Sequence, residues 1–325
     1  MPALPGQVET EDSMIALIAR RLISLPLVVI SVTFITFIVG YLAPGDPILS
    51  LMGNQRNEQV YENLRRIYGL DLPWYEQYLN YLTGLLHGDL GLSYRYAERP
   101  VTELIGAGIG VSFSLGAVAL MASLLLGIPI GMLAAFDHNG WGERLTMAPM
   151  LALFAIPSFV LIPILQWGNF QFYRHGWPSL PAAGWGSPAN WVMPVVVLAA
   201  GNLGYISRLT RTNVLDVLQQ DYVRTARGKG LPEPEVRRVH VLRNALLPIV
   251  TLVGPAIAFL VTGAFVVESL FSIPGVGFLS VQAVQQRDYP VIQGTVVVLT
   301  LAVVLMNLVT DIAYGFLDPR IRLEA

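Results

Sequence analysis

A chain of 325 residues that is 54% hydrophobic and only 13% charged has too little polar material to coat a water-soluble surface, so the sequence is that of an integral membrane protein. The formal net charge of −2 says little, because the charges are segregated along the chain. The absence of cysteine excludes disulfides, thiol nucleophiles and thiolate metal sites.

The N-terminal stretch Pro2 to Ser13 is polar and acidic, and no small-residue cleavage site follows the first apolar run. No removable signal peptide is read, and the first span is expected to stay as an anchor. A helix crossing about 30 Å of hydrocarbon needs about 20 mostly apolar residues. Six stretches fit: Leu22 to Leu42, Ile109 to Ala135, Met147 to Trp167, Trp191 to Leu209, Ala245 to Val267 and Val291 to Tyr314. The fourth is the weakest, interrupted by Pro194, Gly201 and Gly204. The fold expected is an all-α membrane protein with six transmembrane helices. Its divisions are a tail over 1–21, the first span over 22–42, an external insertion over 43–108, a five-helix core over 109–314 that includes a basic loop over 210–244, and a second tail over 315–325.

The arginines near the span ends set the orientation. Arg20 and Arg21 precede the first span, Arg144 separates the second and third, the basic loop separates the fourth and fifth, and Arg320 and Arg322 follow the sixth. The short opposite loops hold only Arg174 and Arg287, which puts both termini in the cytoplasm. The external insertion contains Pro44-Gly-Asp-Pro47, Tyr68-Gly-Leu-Asp-Leu-Pro73 and His87-Gly-Asp-Leu-Gly91. These turn-formers separate helical patterns over Gln55 to Tyr68 and Trp74 to Leu86. Two readings of the insertion stand level, a spacer with one amphipathic face on the membrane and a docking surface.

The run from Asp221 to Pro248 is the most informative part of the chain. With Arg208 and Arg211 just upstream it gathers Arg224, Arg227, Lys229, Arg237, Arg238 and Arg243, and Lys229 is the sequence's one lysine. Each charge would cost about 2.5–3.5 kcal/mol at the bilayer centre, so the segment lies in water. Val214, Leu215, Leu218, Tyr222 and Ala226 recur at spacings of three and four, which predicts one helix with an apolar stripe. Gly228, Gly230 and Pro232 then break it. Such a helix along the cytoplasmic face serves as a knob for a soluble partner, or as an amphipathic helix held by anionic lipid headgroups.

Several chemistries are excluded by spacing. Lys229 is followed by Gly230, so the chain has no P-loop of its own. His87, His138, His175 and His240 lack ligand spacing, no His-Glu-x-x-His occurs, and no Gly-x-Ser-x-Gly elbow is present. Glu268, at the outer end of the fifth span, is either functional, solvated, or satisfied by Arg287. Pro274, Gly275 and Gly277 follow it in a turn that reads as part of an external gate, or as an ordinary connection. Asn202 and Asn307 either bond a neighbouring helix or line a path. Gly116, Gly127 and Gly131 permit close helix packing.

The basic segment resembles the signature loop of ABC-importer permeases, Glu-Ala-Ala, three residues, Gly, and later Leu-Pro. Arg224, Thr225, Ala226 and Gly230 match its first part, and Leu247 and Pro248 its end. The gap from Gly230 to Pro248 is longer than in the generic motif, as in the peptide and nickel branch. Arg224 stands where that motif has glutamate, with Asp221 at best a substitute. Ala43-Pro-Gly-Asp-Pro, Gly88-Asp-Leu-Gly, Ile156-Pro-Ser-Phe, Tyr205-Ile-Ser-Arg-Leu-Thr-Arg, the stretch from Val267 to Gly277, and Arg287-Asp-Tyr-Pro are similar as well, so the resemblance covers nearly the whole chain. It implies a coupling helix between spans four and five, with Asp221, Tyr222, Arg224, Thr225, Ala226, Arg227 and Gly230 as the ATPase-docking residues. It further implies a second similar permease subunit, two cytoplasmic ATPases that bind ATP and Mg, an external substrate-binding protein, and surrounding lipid. Neither a cofactor of its own nor a nucleic-acid partner is implied. The cargo is read as small peptides, with dipeptide, oligopeptide, glutathione and nickel complexes all open. The competing reading is a secondary transporter or channel working without ATPases, which would need ionisable groups at mid-depth that the six spans lack. A membrane-embedded protease would need a nucleophile and base that are not found.

Overall fold

A computed structural model describes residues 8–52, 57–96, 99–246, 248–249 and 264–317. The described residues are helical, with one isolated antiparallel bridge between Leu92 and Pro100. They divide into two compact units, one drawn from Met1–Phe113 and Ser272–Leu305, the other from Ser114–Phe271 and Met306–Ala325.

The first unit contains α1 (Val8–Leu42), α2 (Pro47–Met52), α3 (Glu58–Ile67), α4 (Trp74–Leu86) and the start of α5 (Val101–Phe136). It is completed by α13 (Val276–Gln286) and the first part of α14 (Tyr289–Leu317). Leu90, Val101, Ile105, Val276, Ala283 and Val291 form its core. Gly294 lets α14 approach α5 closely, since a Cβ there would meet Val101 Cγ1 at 2.6 Å. Asp288 is buried at the turn between α13 and α14, where its carboxylate accepts from the Ser93 hydroxyl and from the backbone N–H groups of Tyr94 (3.0 Å) and Arg95 (3.2 Å). A carboxylate with several donors is stable inside a protein, and here it pins an extended loop to a helix junction.

The second unit holds the rest of α5, then α6 (Trp141–Ala155), α7 (Ser158–Arg174), α8 (Pro188–Leu218), α9 (Asp221–Gly228) and α10 (Glu233–Glu235). A π-helical turn (Val236–Leu242), α11 (Arg243–Ala245), α12 (264–270) and the end of α14 follow. Ser187 and Asn190 close a capping box at the start of α8, with Pro188 at its first position. Close packing on α8 relies on absent side chains. A Cβ at Gly204 would meet Phe154 Cβ of α6 at 2.7 Å, one at Gly127 would meet Ile206 Cγ2 at 2.9 Å, and one at Gly131 would meet Thr210 Cβ at 2.6 Å.

Four described helices are long and apolar enough to cross a membrane, over Ile23–Leu42, Val101–Phe136, Pro188–Leu218 and Tyr289–Thr310. The predicted third span is not one straight helix. Its two halves, α6 and α7, are bent by 110°, a broken span or a re-entrant loop; counted as one span they make a fifth crossing. The cause is Pro157, which disfavours helical backbone at the residue before it; Ile156 is extended at φ −83°, ψ 118°. The predicted fifth span, Ala245 to Val267, falls largely outside the described residues, as does Leu247. Helix α1 begins at Val8, inside the predicted tail, and α8 runs past the predicted end of the fourth span to Leu218.

Asp288→Ala strands the Ser93 hydroxyl and the Tyr94 N–H, each worth about 1–3 kcal/mol when left unsatisfied, while the Arg95 N–H keeps its bond to Ser93 Oγ. It should lower the thermal midpoint of the purified protein by several degrees, with Asp288→Asn intermediate because its amide oxygen still accepts; an unchanged midpoint for the alanine variant would remove Asp288 as the anchor of this unit.

Candidate coupling platform

Polar α9 has only two residues facing inward. Val223 and Ala226, three apart on one face, are buried at 0% and 4% exposure. They rest on Val214 of α8, Ala135 of α5, Val236 and Val241 of the π-helical turn, and Ala245. Val236 and Val241 lie five residues apart and are both fully buried, a spacing that a π-helix places on one face. The long stretch between Gly230 and Pro248 is thus used to build the underside of the platform.

The helix is closed by a Schellman turn. Gly230 N–H donates to Arg227 O at 2.9 Å and Leu231 N–H to Ala226 O at 3.4 Å, while Leu231 packs onto the same valine cluster. Gly230 has φ +77°, a conformation costing an L-residue roughly 1–2 kcal/mol. Pro232 follows and prevents the helix from resuming. The Gly-Leu-Pro sequence is therefore a stop signal in which each residue has a separate task.

Charges brace the edge of the platform. Arg227 donates from Nε (3.1 Å) and from a terminal nitrogen (2.8 Å) to the two carboxylate oxygens of Glu233, and Arg237 Nε donates to the same group at 3.3 Å. The hydrogen bond from Arg227 holds the Glu233 carboxyl below the usual carboxylate range, with Arg237 adding to it. The Arg237 guanidinium also stacks over Phe136 at 4.5 Å. A second brace joins Arg211 of α8 to Glu143 at the start of α6, with His138 Nδ1 3.2 Å from the same carboxylate. The α5–α6 turn, with Arg144 in the first turn of α6, therefore lies at the α9 end of this unit.

The predicted docking residues do not share one face. Ala226 is buried and Arg227 is engaged by Glu233, whereas Asp221, Arg224 and Thr225 point outward, with Asp221 and Arg224 paired at 3.6 Å. The predicted single helix from Val214 to Ala226 is broken at Gln219 and Gln220, where α8 ends and α9 begins in a new direction. The break moves Tyr222 off the apolar stripe to a 41% exposed position, where its hydroxyl accepts from Asn244 Nδ2 at 3.2 Å. Val223, absent from the predicted stripe, takes its place; a helical count restarted at Asp221 would have found it.

Among the external-gate candidates, Glu268 lies in the second unit and is fully buried, so the solvated reading is overturned. Pro274, Gly275 and Gly277 belong to the first unit. Val276 N–H donates to Ser112 Oγ of α5 at 2.9 Å, and a Cβ at Gly108 would meet the Gly275 carbonyl carbon at 3.0 Å. The turn is packed against α5 within its unit. Asn202 Nδ2 donates within its own helix to Leu198 O at 3.2 Å, and Asn307 is half-buried on α14. No cluster of His, Cys, Asp and Glu suited to a metal occurs among the described residues.

Glu233→Gln removes the charge that holds Arg227 and Arg237 together. Amide exchange at Gly230 and Leu231 should quicken modestly, by an opening free energy of about 1 kcal/mol or less for so exposed a network. A carboxyl whose folded pKa is depressed contributes above its unfolded value and loses that contribution as pH falls through the folded one. Wild type and variant should therefore differ at neutral pH and converge only below about pH 4; a difference independent of pH would contradict the charge network.

The family model described as binding-protein-dependent transport system inner membrane component matches residues 127–323, and a companion model for the N-terminal membrane component matches residues 14–114. The chain is 37% identical to the dipeptide transport system permease protein DppB of Bacillus subtilis (strain 168), over 94% of this chain and 97% of the relative. It is 35% identical to DppB of Escherichia coli (strain K12), over 95% and 99%. It is 37% identical to the glutathione transport system permease protein GsiC of Pectobacterium atrosepticum, over 93% and 97%. Among solved structures, an inward-facing form of the MetNI methionine ABC transporter overlays with a TM-score of 0.56 at 18% identity, covering 66% of this chain and 96% of that one, a likeness of fold. The chain belongs to the inner-membrane permease components of binding-protein-dependent ABC importers.

Proposed function

We propose that this permease passes small peptides across the membrane, delivered by an external binding protein and driven by ATPase subunits that grip α9. The observation that carries the coupling half is the construction of α9, polar and exposed outside, seated on buried valines shared with the end of α8. A helix so mounted transmits a push to α8 rather than swinging freely. The peptide half is supported by the dipeptide and glutathione systems named for the relatives. In this reading Arg224, Thr225 and Asp221 meet the ATPase directly, whereas Ala226 and Arg227 hold the helix in place. The exposed pairing of Asp221 with Arg224 at 3.6 Å is weak enough for a partner to exchange.

A second similar permease subunit completes the path, and ATP and Mg reside on the ATPases. The six-span arrangement with both termini in the cytoplasm belongs to the same proposal. It is supported by the position of the Arg144 turn at the α9 end of its unit, the side to which the charge distribution assigns both.

Val223→Asp places an unpaired charge in the valine seat, and Gly230→Val strains the stop. In proteoliposomes carrying the assembled transporter, each should cut peptide uptake about tenfold or more, equivalent to at least about 1.4 kcal/mol. ATP hydrolysis should persist but lose its tie to uptake. Unchanged uptake per ATP in both variants would sink the coupling role of this platform.

A further inference from the structure

The segment after α1 reads in sequence as an external insertion, yet α4 is bonded to the middle of the first span. Tyr78 is buried, and its hydroxyl donates to Ile30 O at 3.0 Å and lies 3.1 Å from Thr33 Oγ1. Its ring meets Phe34 edge-on and Phe37 at a tilt, both at 5.3 Å between centroids. Thr33 lies nine residues before the end of α1 at Leu42, which at about 1.5 Å per residue is about 13 Å along the helix. Even Phe37 is about 7 Å inside that end by the same rise. On the other side, Arg21 precedes the 20-residue apolar stretch Ile23–Leu42 and fixes its register in a hydrocarbon core of about 30 Å. A helix held at Ile30, Thr33 and Phe37 runs below the level where α1 emerges. The buried tyrosine hydroxyl has its hydrogen-bond partners in the same place, which hydrocarbon depth demands of any polar group.

The two flanks of α4 differ in kind. Gln77, Asn80, Tyr81 and Gly84 share one flank and line a cleft of about 660 Å³ within this unit. Tyr75, Leu79, Leu82 and Leu86 recur at spacings of four, three and four on the opposite flank, and Tyr75, Leu79 and Leu86 are 50%, 56% and 85% exposed. The one acidic residue of α4 is Glu76 in its first turn, and the helix carries no basic residue. Elsewhere on α1, Ile23, Leu27, Ile35 and Val39 are exposed at 61–77%, as the outer surface of a membrane span would be. We propose that α4 is sunk in one leaflet beside α1, with lipid acyl chains covering the Tyr75–Leu79–Leu82–Leu86 stripe and water reaching the cleft behind it. The inference rests on α1 crossing the bilayer and is independent of the cargo or of the ATPase contact.

Because the chain has no cysteine, a single introduced thiol carries a spin label at one known position. Leu79→Cys is labelled in the assembled transporter in phosphatidylcholine–phosphatidylglycerol bilayers, and its collisions with oxygen and with a water-soluble nickel chelate are compared. Ile35→Cys serves as the lipid reference and Glu62→Cys, on polar α3, as the water reference. The ratio of oxygen to chelate accessibility at Leu79 should match Ile35 and exceed Glu62 several-fold. A ratio like that of Glu62 would place the stripe in water, and low access to both reagents would mean a protein partner covers it; either overturns the proposal. Leu86→Cys, on the same stripe, gives the same reading should Leu79→Cys fail to assemble.

Discussion

Everything at the α9 end of the second unit depends on the burial of Val223. A short helix of eight residues has little stability of its own in water, so α9 exists because its two inward side chains are covered. Val214, Val223, Val236 and Val241 are each fully buried, and burying a valine contributes about 1.5–3 kcal/mol. These four come from α8, α9 and the π-helical turn, so the cluster is also what joins three segments into one body. The braces from Arg227 to Glu233 and from Arg211 to Glu143 fix direction around that apolar seat; the first contributes less energy than the valines, since Arg227 and Glu233 are both more than 40% exposed.

From the seat, α8 leads away as a stiff rod. Helix α8 is continuous for 31 residues, about 46 Å at the ordinary helical rise. Its glycine at 204 admits the backbone of α6, and Gly127 and Gly131 admit α8 to α5, so neighbouring helices touch at backbone distance where no flexible side chain can absorb a displacement. Interfaces of this kind shift as bodies rather than deform.

Much of this was legible in the sequence, and the parts that were not have physical reasons. Eight positive charges in an apolar chain located the basic loop, and Gly230, Leu231 and Pro232 marked its turn, because the cost of charge in hydrocarbon and the backbone freedom of glycine are local properties. The break at Gln219 and Gln220 was not legible: both residues tolerate a helix, and the apolar spacing runs smoothly across them. What ends α8 there is the tertiary gain of seating Val223, which no count along one helix reveals. Pro157 could have signalled the bend between α6 and α7, but the composition on both sides is equally apolar and hid it. Asp288 was visible only as part of a family-like string, since its partners at Ser93, Tyr94 and Arg95 are almost two hundred residues away. Glu268 was weighed as a solvated acid because its position in sequence is interfacial, while its burial depends on packing.

The central claim is that the outward face of α9 is where the ATPase binds. A photoreactive benzophenone attached to Thr225→Cys, the only thiol in that chain, tests it directly in membranes containing the assembled transporter. The account predicts a crosslink to the ATPase subunit from Thr225 and none from Glu62→Cys on α3. A Thr225 probe that captures lipid or nothing, while the ATPase remains bound, would contradict it.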